Sequence, residues 1–159
     1  MDEAAKKQAL RLFTYGLYAV TAREGDVIAA MTVNWATQVS FAPPMIAVSM
    51  ERESRTREII MRTGQFVLCI YAADQREVAG LLGRHSANVP DKFASVAWEP
   101  GSATGCPVIA GTLGALECRI VNTTDAGDSI LVLAEVIEAH ILGDGEPLTM
   151  QAAGFKHAG

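Results

Sequence analysis

The chain has 159 residues, 50% of them hydrophobic and 19% charged, with a formal net charge of -5. That length suits one domain over residues 1–159 with a sizeable core, and the apolar excess leaves surface for a second copy of the chain. The acidic balance without a Lys or Arg block argues against nucleic acid. Apolar runs too short for a bilayer and the amphipathic opening "MDEAAKKQAL" argue against a membrane and for a cytoplasmic protein.

In chain order, "EAAKKQALRLF" places Ala5, Ala9 and Leu12 or Phe13 at helical spacing. "GLYAVTA" alternates as a strand, Gly25 and Asp26 offer a tight turn, and "VIAAMTV" returns as an apolar run. The next stretch, "MTVNWATQVSFAPPMIAVSM", carries Thr32, Asn34, Thr37, Gln38 and Ser40. Pro43 and Pro44 cannot both sit in a ladder, so they break it before "MIAVSM". Ser54 is placed to cap a short helix that ends at Gly64, and "QFVLCIY" reads as a buried strand. "DQRE" reads as a capping box, Asp74 with Glu77, for a helix reaching about Gly83. Residues 84–106 read as loops around a brief strand. "TLGALECRIVNTT" and "SILVLAEVIEAHIL" read as two long strands joined at "DAGD". The sum is mainly β, antiparallel, with two to three short helices. It fits a small closed or split barrel better than a Rossmann layout.

No metalloprotease, nucleophile-elbow, P-loop or dinucleotide motif is present, and Cys69, Cys106 and Cys118 lack metal or redox spacing. His85, His140 and His157 stand far apart in sequence, so neither a metal site nor a protein-borne catalytic residue is expected. What remains is a binding array. Neutral donors from Thr32 to Ser40, then Ser49, Ser54 and Thr56, suit the polar edge of a flat heteroaromatic ring. Ser54, Arg55 and Thr56 at a helix start suit a phosphate, the plainer alternative being that Ser54 and Thr56 only cap the backbone.

The ordered set "YGLYAVTAREGDVIAAMTVNWATQVSFAPPMIAVSMERESRTREII", "GQFVLCIYAADQREVAGLLG", "DKF", "GCPVIAGTLGALECRIV" and "GDSILVLAEVIEAHI" resembles the flavin reductase-like proteins with an FMN-binding split barrel. The resemblance implies a Greek-key antiparallel barrel and a homodimer with FMN near the subunit interface. It further implies a ring site at Thr32, Val33, Asn34 and Trp35, a phosphate site at Ser54 and Thr56, and a charge from Lys92 near the flavin. For Lys92 the alternative is an ordinary surface lysine, and for Trp35 an ordinary core residue. The implied activity is hydride transfer from NADH or NADPH to FMN, with electrons passing to free flavin, a partner oxygenase or another acceptor. The alternatives are an FMN electron-transfer protein reduced by a protein partner, and a non-catalytic flavin-binding dimer. The tail "GEPLTMQAAGFKHAG" puts Phe155, Lys156 and His157 where reductase members admit the nicotinamide, without the usual Tyr and Arg pattern.

Overall fold

The computed structural model describes residues 1–156; His157, named above, lies outside them. Helix α1 (Glu3–Leu10), capped by Asp2, buries no residue. Strands β1 (Tyr18–Glu24) and β2 (Val27–Val33) form the expected hairpin, turning at Gly25, whose φ of 60° lies in the region that glycine occupies without penalty. Strands β3 (Ala36–Phe41) and β4 (Pro44–Glu51) flank the proline break. Helix α2 (Arg55–Thr63) runs from the Ser54 cap to a left-handed Gly64. Strand β5 (Gln65–Ile70) follows, then α3 (Arg76–Leu82), the short β6 (Trp98–Pro100) and β7 (Pro107–Ile109), the long hairpin β8 (Gly114–Ala126) with β9 (Ser129–Ile141), and the single turn α4 (Met150–Ala153).

Seven strands make one antiparallel sheet in the order β2-β1-β5-β8-β9-β4-β3. Its ends approach one another. Val33 of β2 and Val48 of β4 share one core with Phe66 and Leu68 of β5 and Val132 of β9, which requires the sheet to curl. Helix α2 closes onto that core through Ile59 and Ile60, both essentially fully buried, each contributing about 1.5–3 kcal/mol of apolar transfer energy.

A second core lies on the other face of β1 and β5. There Ala19, Val67 and Cys69 meet Ala79 and Leu82 of α3, Val96 and Ile109 around the small β6–β7 ribbon, and Leu148 and Ala153 near the C-terminus. The run "FVLCIY" is apolar throughout because successive residues of a strand point to opposite faces and both faces of β5 are covered. All three cysteines are buried; burial pushes Cys69 and Cys118 up to about 12, which keeps them as inert thiols.

The capping box does not form. Helix α3 starts at Arg76, and Gln75 stands at the cap position without a side-chain cap bond. Gln75 is instead drawn inward: its Oε1 accepts from the Ala72 N–H and its Nε2 donates to Ala110 O, tying the turn to the loop after β7 and leaving Asp74 exposed.

Candidate functional site

Two helices and a strand corner converge on one cavity of about 700 Å³, within the range of roughly 300–1,000 Å³ typical of small-molecule sites. Its walls come from the end of β2, the β2–β3 corner, the end of β4, the start of α2, the second half of α3 and the C-terminal segment. Thr32, Val33, Asn34, Trp35, Ser49, Ser54, Arg55, Thr56 and Lys92 all line it. Residues separated by up to sixty positions in sequence thus meet in one space.

Each is held by a local cause. Strand β2 ends at the buried Val33, and the corner that follows presents Asn34 and Trp35. The Trp35 carbonyl accepts from the Ser49 N–H at 2.9 Å, which pins the corner to β4. The indole is 38% exposed and lines the cavity, so it does not lie behind the sheet as core. Ser54 performs its cap, accepting from the Arg57 N–H at 3.3 Å, while its hydroxyl donates toward Met31 Sδ at 3.2 Å. Thr56, in the first turn of α2, is 2% exposed.

Thr32 is more committed than its sequence position suggests. Its hydroxyl donates to Ala79 O of α3 at 2.7 Å and accepts from the Tyr71 hydroxyl at 2.9 Å. Burial raises the Tyr71 pKa, so that phenol keeps its proton. The Thr32 side chain therefore joins sheet to helix. Gly83 lets the two come close: a Cβ there would stand 3.2 Å from Ala79 O and 3.5 Å from Thr32 Cβ. Gly80 and Gly83 also line the cavity; the sequence reading names Gly83 only as the end of the helix, although the spacing of the two within "AGLLG" signals a helix face built for close approach.

Lys92 is not a surface lysine. It is 8% exposed, and its ammonium donates to Ala30 O of β2 at 3.0 Å and to Leu82 O of α3 at 2.7 Å. Burial lowers its pKa from the ordinary lysine value, and the two carbonyls oppose that by accepting from the charged form. An ammonium has three N–H donors, so one remains for a ligand. A second, small hollow of about 50 Å³ adjoins Lys92 and shares Arg55 and Ser86 with the main cavity.

The rest of the polar array does not reach the site. Thr37 and Gln38 are exposed on β3, the strand at the sheet edge; Thr37 Oγ1 donates to Gln38 O and Gln38 Nε2 to Ser40 O. The chain leaves the cavity after Trp35 and returns to it at Ser49, and in between the side chains of Thr37 and Gln38 bond to neighbouring backbone carbonyls. The sequence also gave no sign of the contributions of Arg84, His85, Ser86 and Ser129. Among the described residues no group of His, Cys, Asp and Glu is placed to hold a metal ion, and no helix is long and apolar enough to cross a membrane.

The donor set suits a flavin mononucleotide. Neutral groups and an indole stand at one wall, the N–H groups of a helix start with Arg55 stand at another, and a buried ammonium with a spare donor lies between strand and helix.

Comparison with known proteins agrees with that chemistry. Residues 10–159 match the model of the flavin reductase like domain. The chain is 35% identical over 144 residues to the high molecular weight rubredoxin of Moorella thermoacetica, covering 89% of this chain and 62% of that protein. It is 32% identical over 149 residues to the FMN reductase (NADH) SmoA of Agrobacterium fabrum, covering 94% and 82%. Among solved structures, BorF, the flavin reductase component of a bacterial two-component tryptophan halogenase, superposes with a TM-score of 0.79 at 31% identity, covering 89% of this chain and 88% of that one. The chain spans 55% to 62% of the length of two of the curated relatives that it matches.

Proposed function

The chain belongs to the flavin reductase-like family, and from that premise we propose that it is an NAD(P)H-dependent flavin reductase that holds FMN in the cavity described above. The observation that carries this reading is the convergence of the Thr32–Trp35 corner, the start of α2 and the Lys92 ammonium on one space. When bound, FMN supplies the acceptor for a hydride from the nicotinamide and passes the electrons on to free flavin, a partner oxygenase or another acceptor.

The protein's part is positioning and electrostatics. Backbone groups of Thr32 and Val33 and the Asn34 side chain hold the polar edge of the ring, with Ser49 beside them and the Trp35 indole against an apolar portion. Ser54, Arg55 and Thr56 take the phosphate, where the exposed N–H groups of the first helical turn add to the charge of Arg55. Lys92 donates its third N–H to an electron-rich group of the flavin. No side chain has to act as acid or base, because a hydride carries its own electron pair and needs only a donor held at reactive distance.

The fold this reading takes is an FMN-binding split barrel of Greek-key form, one domain over residues 1–159 in a cytoplasmic protein. A homodimer, with the flavin near the subunit interface, is supported by apolar side chains exposed on the single chain: Phe41 at 90%, Leu12 at 84% and Phe13 at 64%. An oxygenase partner is supported by the likeness, 30% identical over 157 residues, to the reductase component of a Rhodococcus opacus 4-nitrophenol 4-monooxygenase, and a halogenase-type partner by the likeness to BorF. A second reading, an FMN electron-transfer protein reduced by a protein partner, is favoured by the likeness to a rubredoxin-named relative. Anaerobic mixing of the FMN-loaded protein with NADH and with NADPH separates the two. Bleaching of the flavin absorbance by either nicotinamide supports the reductase, and no bleaching with both at saturation leaves the carrier.

A further inference from the structure

Strand β2 reaches a different helix with each of two successive residues. Thr32 meets α3 through the bond from its hydroxyl to Ala79 O, and Met31, on the opposite face of the strand, meets the start of α2. The two attachments differ in strength. At α3 a hydroxyl donates to a carbonyl at 2.7 Å, whereas at α2 the Ser54 hydroxyl donates to the Met31 thioether sulfur at 3.2 Å. A hydroxyl carries one proton and two lone pairs, and a thioether is a weak acceptor. Ser54 thus commits one lone pair to the Arg57 N–H, which caps α2, and its single proton to a weak partner. Met31 packs partly buried against the sheet core and lines the cavity together with Ser54, Arg55 and Thr56.

We propose that Met31 is a positioning residue for the phosphate of the flavin: its sulfur holds the Ser54 proton at the cavity wall, and holds it weakly enough for a phosphate oxygen to take it. This rests on the reading of the α2 start as the phosphate site. Capping and phosphate binding then do not compete for Ser54, because the cap uses a lone pair and the phosphate uses the proton. What competes with the phosphate is Met31. A phosphate oxygen forms a charge-assisted bond roughly twice as strong as a neutral one, so it displaces a thioether at little cost. An amide or sulfoxide oxygen in place of the sulfur would keep the proton and leave Ser54 as a cap alone. The acceptor strength of residue 31 therefore sets the preference for FMN over riboflavin, which share the ring and differ by the phosphate.

The test reads one ratio, the dissociation constant of riboflavin over that of FMN, in fluorescence titrations of the full chain. Met31→Gln puts a strong acceptor at the same reach and is expected to lower the ratio about fivefold, since an ordinary neutral hydrogen bond has to break first. Met31→Leu has no acceptor and is expected to raise it by less than about twofold. Ser54→Ala is expected to lower it about tenfold or more, and Met31→Gln to add nothing in that background. Should Met31→Gln not fold, hydrogen peroxide supplies the same acceptor: the sulfur takes one oxygen, the peroxide leaves as water, and the sulfoxide oxygen accepts the Ser54 proton. Wild type with Met31 sulfoxide located by peptide mass spectrometry is expected to show the same fall. Peroxide-treated Met31→Leu, whose other methionines are oxidised alike, is expected to keep its ratio. A ratio unchanged by Met31→Gln and by the sulfoxide, an equal loss of both flavins, or a fall that persists in Ser54→Ala would each overturn the proposal. A wild type without preference for FMN over riboflavin defeats the phosphate reading instead. Urea titrations of the flavin-free protein then show whether residues 31 and 54 are joined: Met31→Gln and Ser54→Ala are expected to be non-additive, and additivity would overturn the bond itself.

Discussion

Among the described residues two charged side chains are buried, Glu117 and Lys92, and the structure treats them in opposite ways. Glu117 on β8 is fully buried and its carboxylate is saturated. It accepts from Ser102 Oγ at 3.2 Å, the Ala103 N–H at 3.0 Å, the Thr104 N–H at 2.7 Å, Thr104 Oγ1 at 2.8 Å and His140 Nε2 at 2.8 Å. Burial alone would raise its pKa, but hydrogen bonds from His140, the Thr104 hydroxyl and amide, and Ala103 outweigh that and hold it at about 2. Gly101 is required beside it, because a Cβ there would stand 2.5 Å from a carboxylate oxygen. Lys92, by contrast, satisfies two of its three donors and borders a cavity. A buried charge whose bonds are all made by the protein holds a loop in place; one with a bond to spare, beside open space, is set to hold a ligand.

The largest expected effect breaks the saturated side. Glu117→Ala leaves the amides of Ala103 and Thr104 without their acceptor and His140 without its partner, and should cost about 3–5 kcal/mol in a urea titration. FMN affinity of the folded fraction should stay within about twofold. The acid limb sharpens the same point. Because the folded pKa lies at about 2, below the ordinary 4.5, the stabilisation from Glu117 is fully present above that ordinary value and is lost as pH falls toward about 2. Thermal melts between those values should drop steeply for wild type and more gently for Glu117→Gln.

On the ligand side, Ser54→Ala with Thr56→Ala should weaken FMN by about 1.5–3 kcal/mol per lost bond to the charged phosphate, while riboflavin changes by less than about twofold. Equal losses would confine both residues to the capping of α2. The smallest effect is expected at Trp35, where replacement by Ala should remove about 0.5–1.5 kcal/mol of ring contact and most of the tryptophan quenching seen on adding FMN. Quenching that persists undiminished would assign it to Trp98 and take Trp35 off the flavin.

Much of the frame was legible in the sequence because periodicity and turn chemistry are local. The β1–β2 turn at Gly25, the Ser54-to-Gly64 helix and the β8–β9 hairpin stand where composition and capping rules put them. The failures are non-local. Asp74 and Glu77 have the right spacing for a capping box, but Gln75 is claimed by Ala110, far along the chain. Nothing in "PDKF" shows that Lys92 reaches carbonyls on β2 and α3, because only the folded sheet brings Ala30 and Leu82 together. His140 and Glu117 stand 23 positions apart and meet only through the pairing of β8 with β9. The polar run 32–40 was read as one array, yet the corner at Trp35 divides it into a part that lines the cavity and an edge strand that does not.

The contrast between the two buried charges is tested most directly by one flavin-fluorescence titration, comparing the dissociation constant of FMN for wild type, Lys92→Met and Glu117→Gln. Loss of a charge-assisted bond at Lys92 should raise it about tenfold or more, with Glu117→Gln within about twofold of wild type. An unchanged constant for Lys92→Met, or a loss confined to Glu117→Gln, would contradict the account.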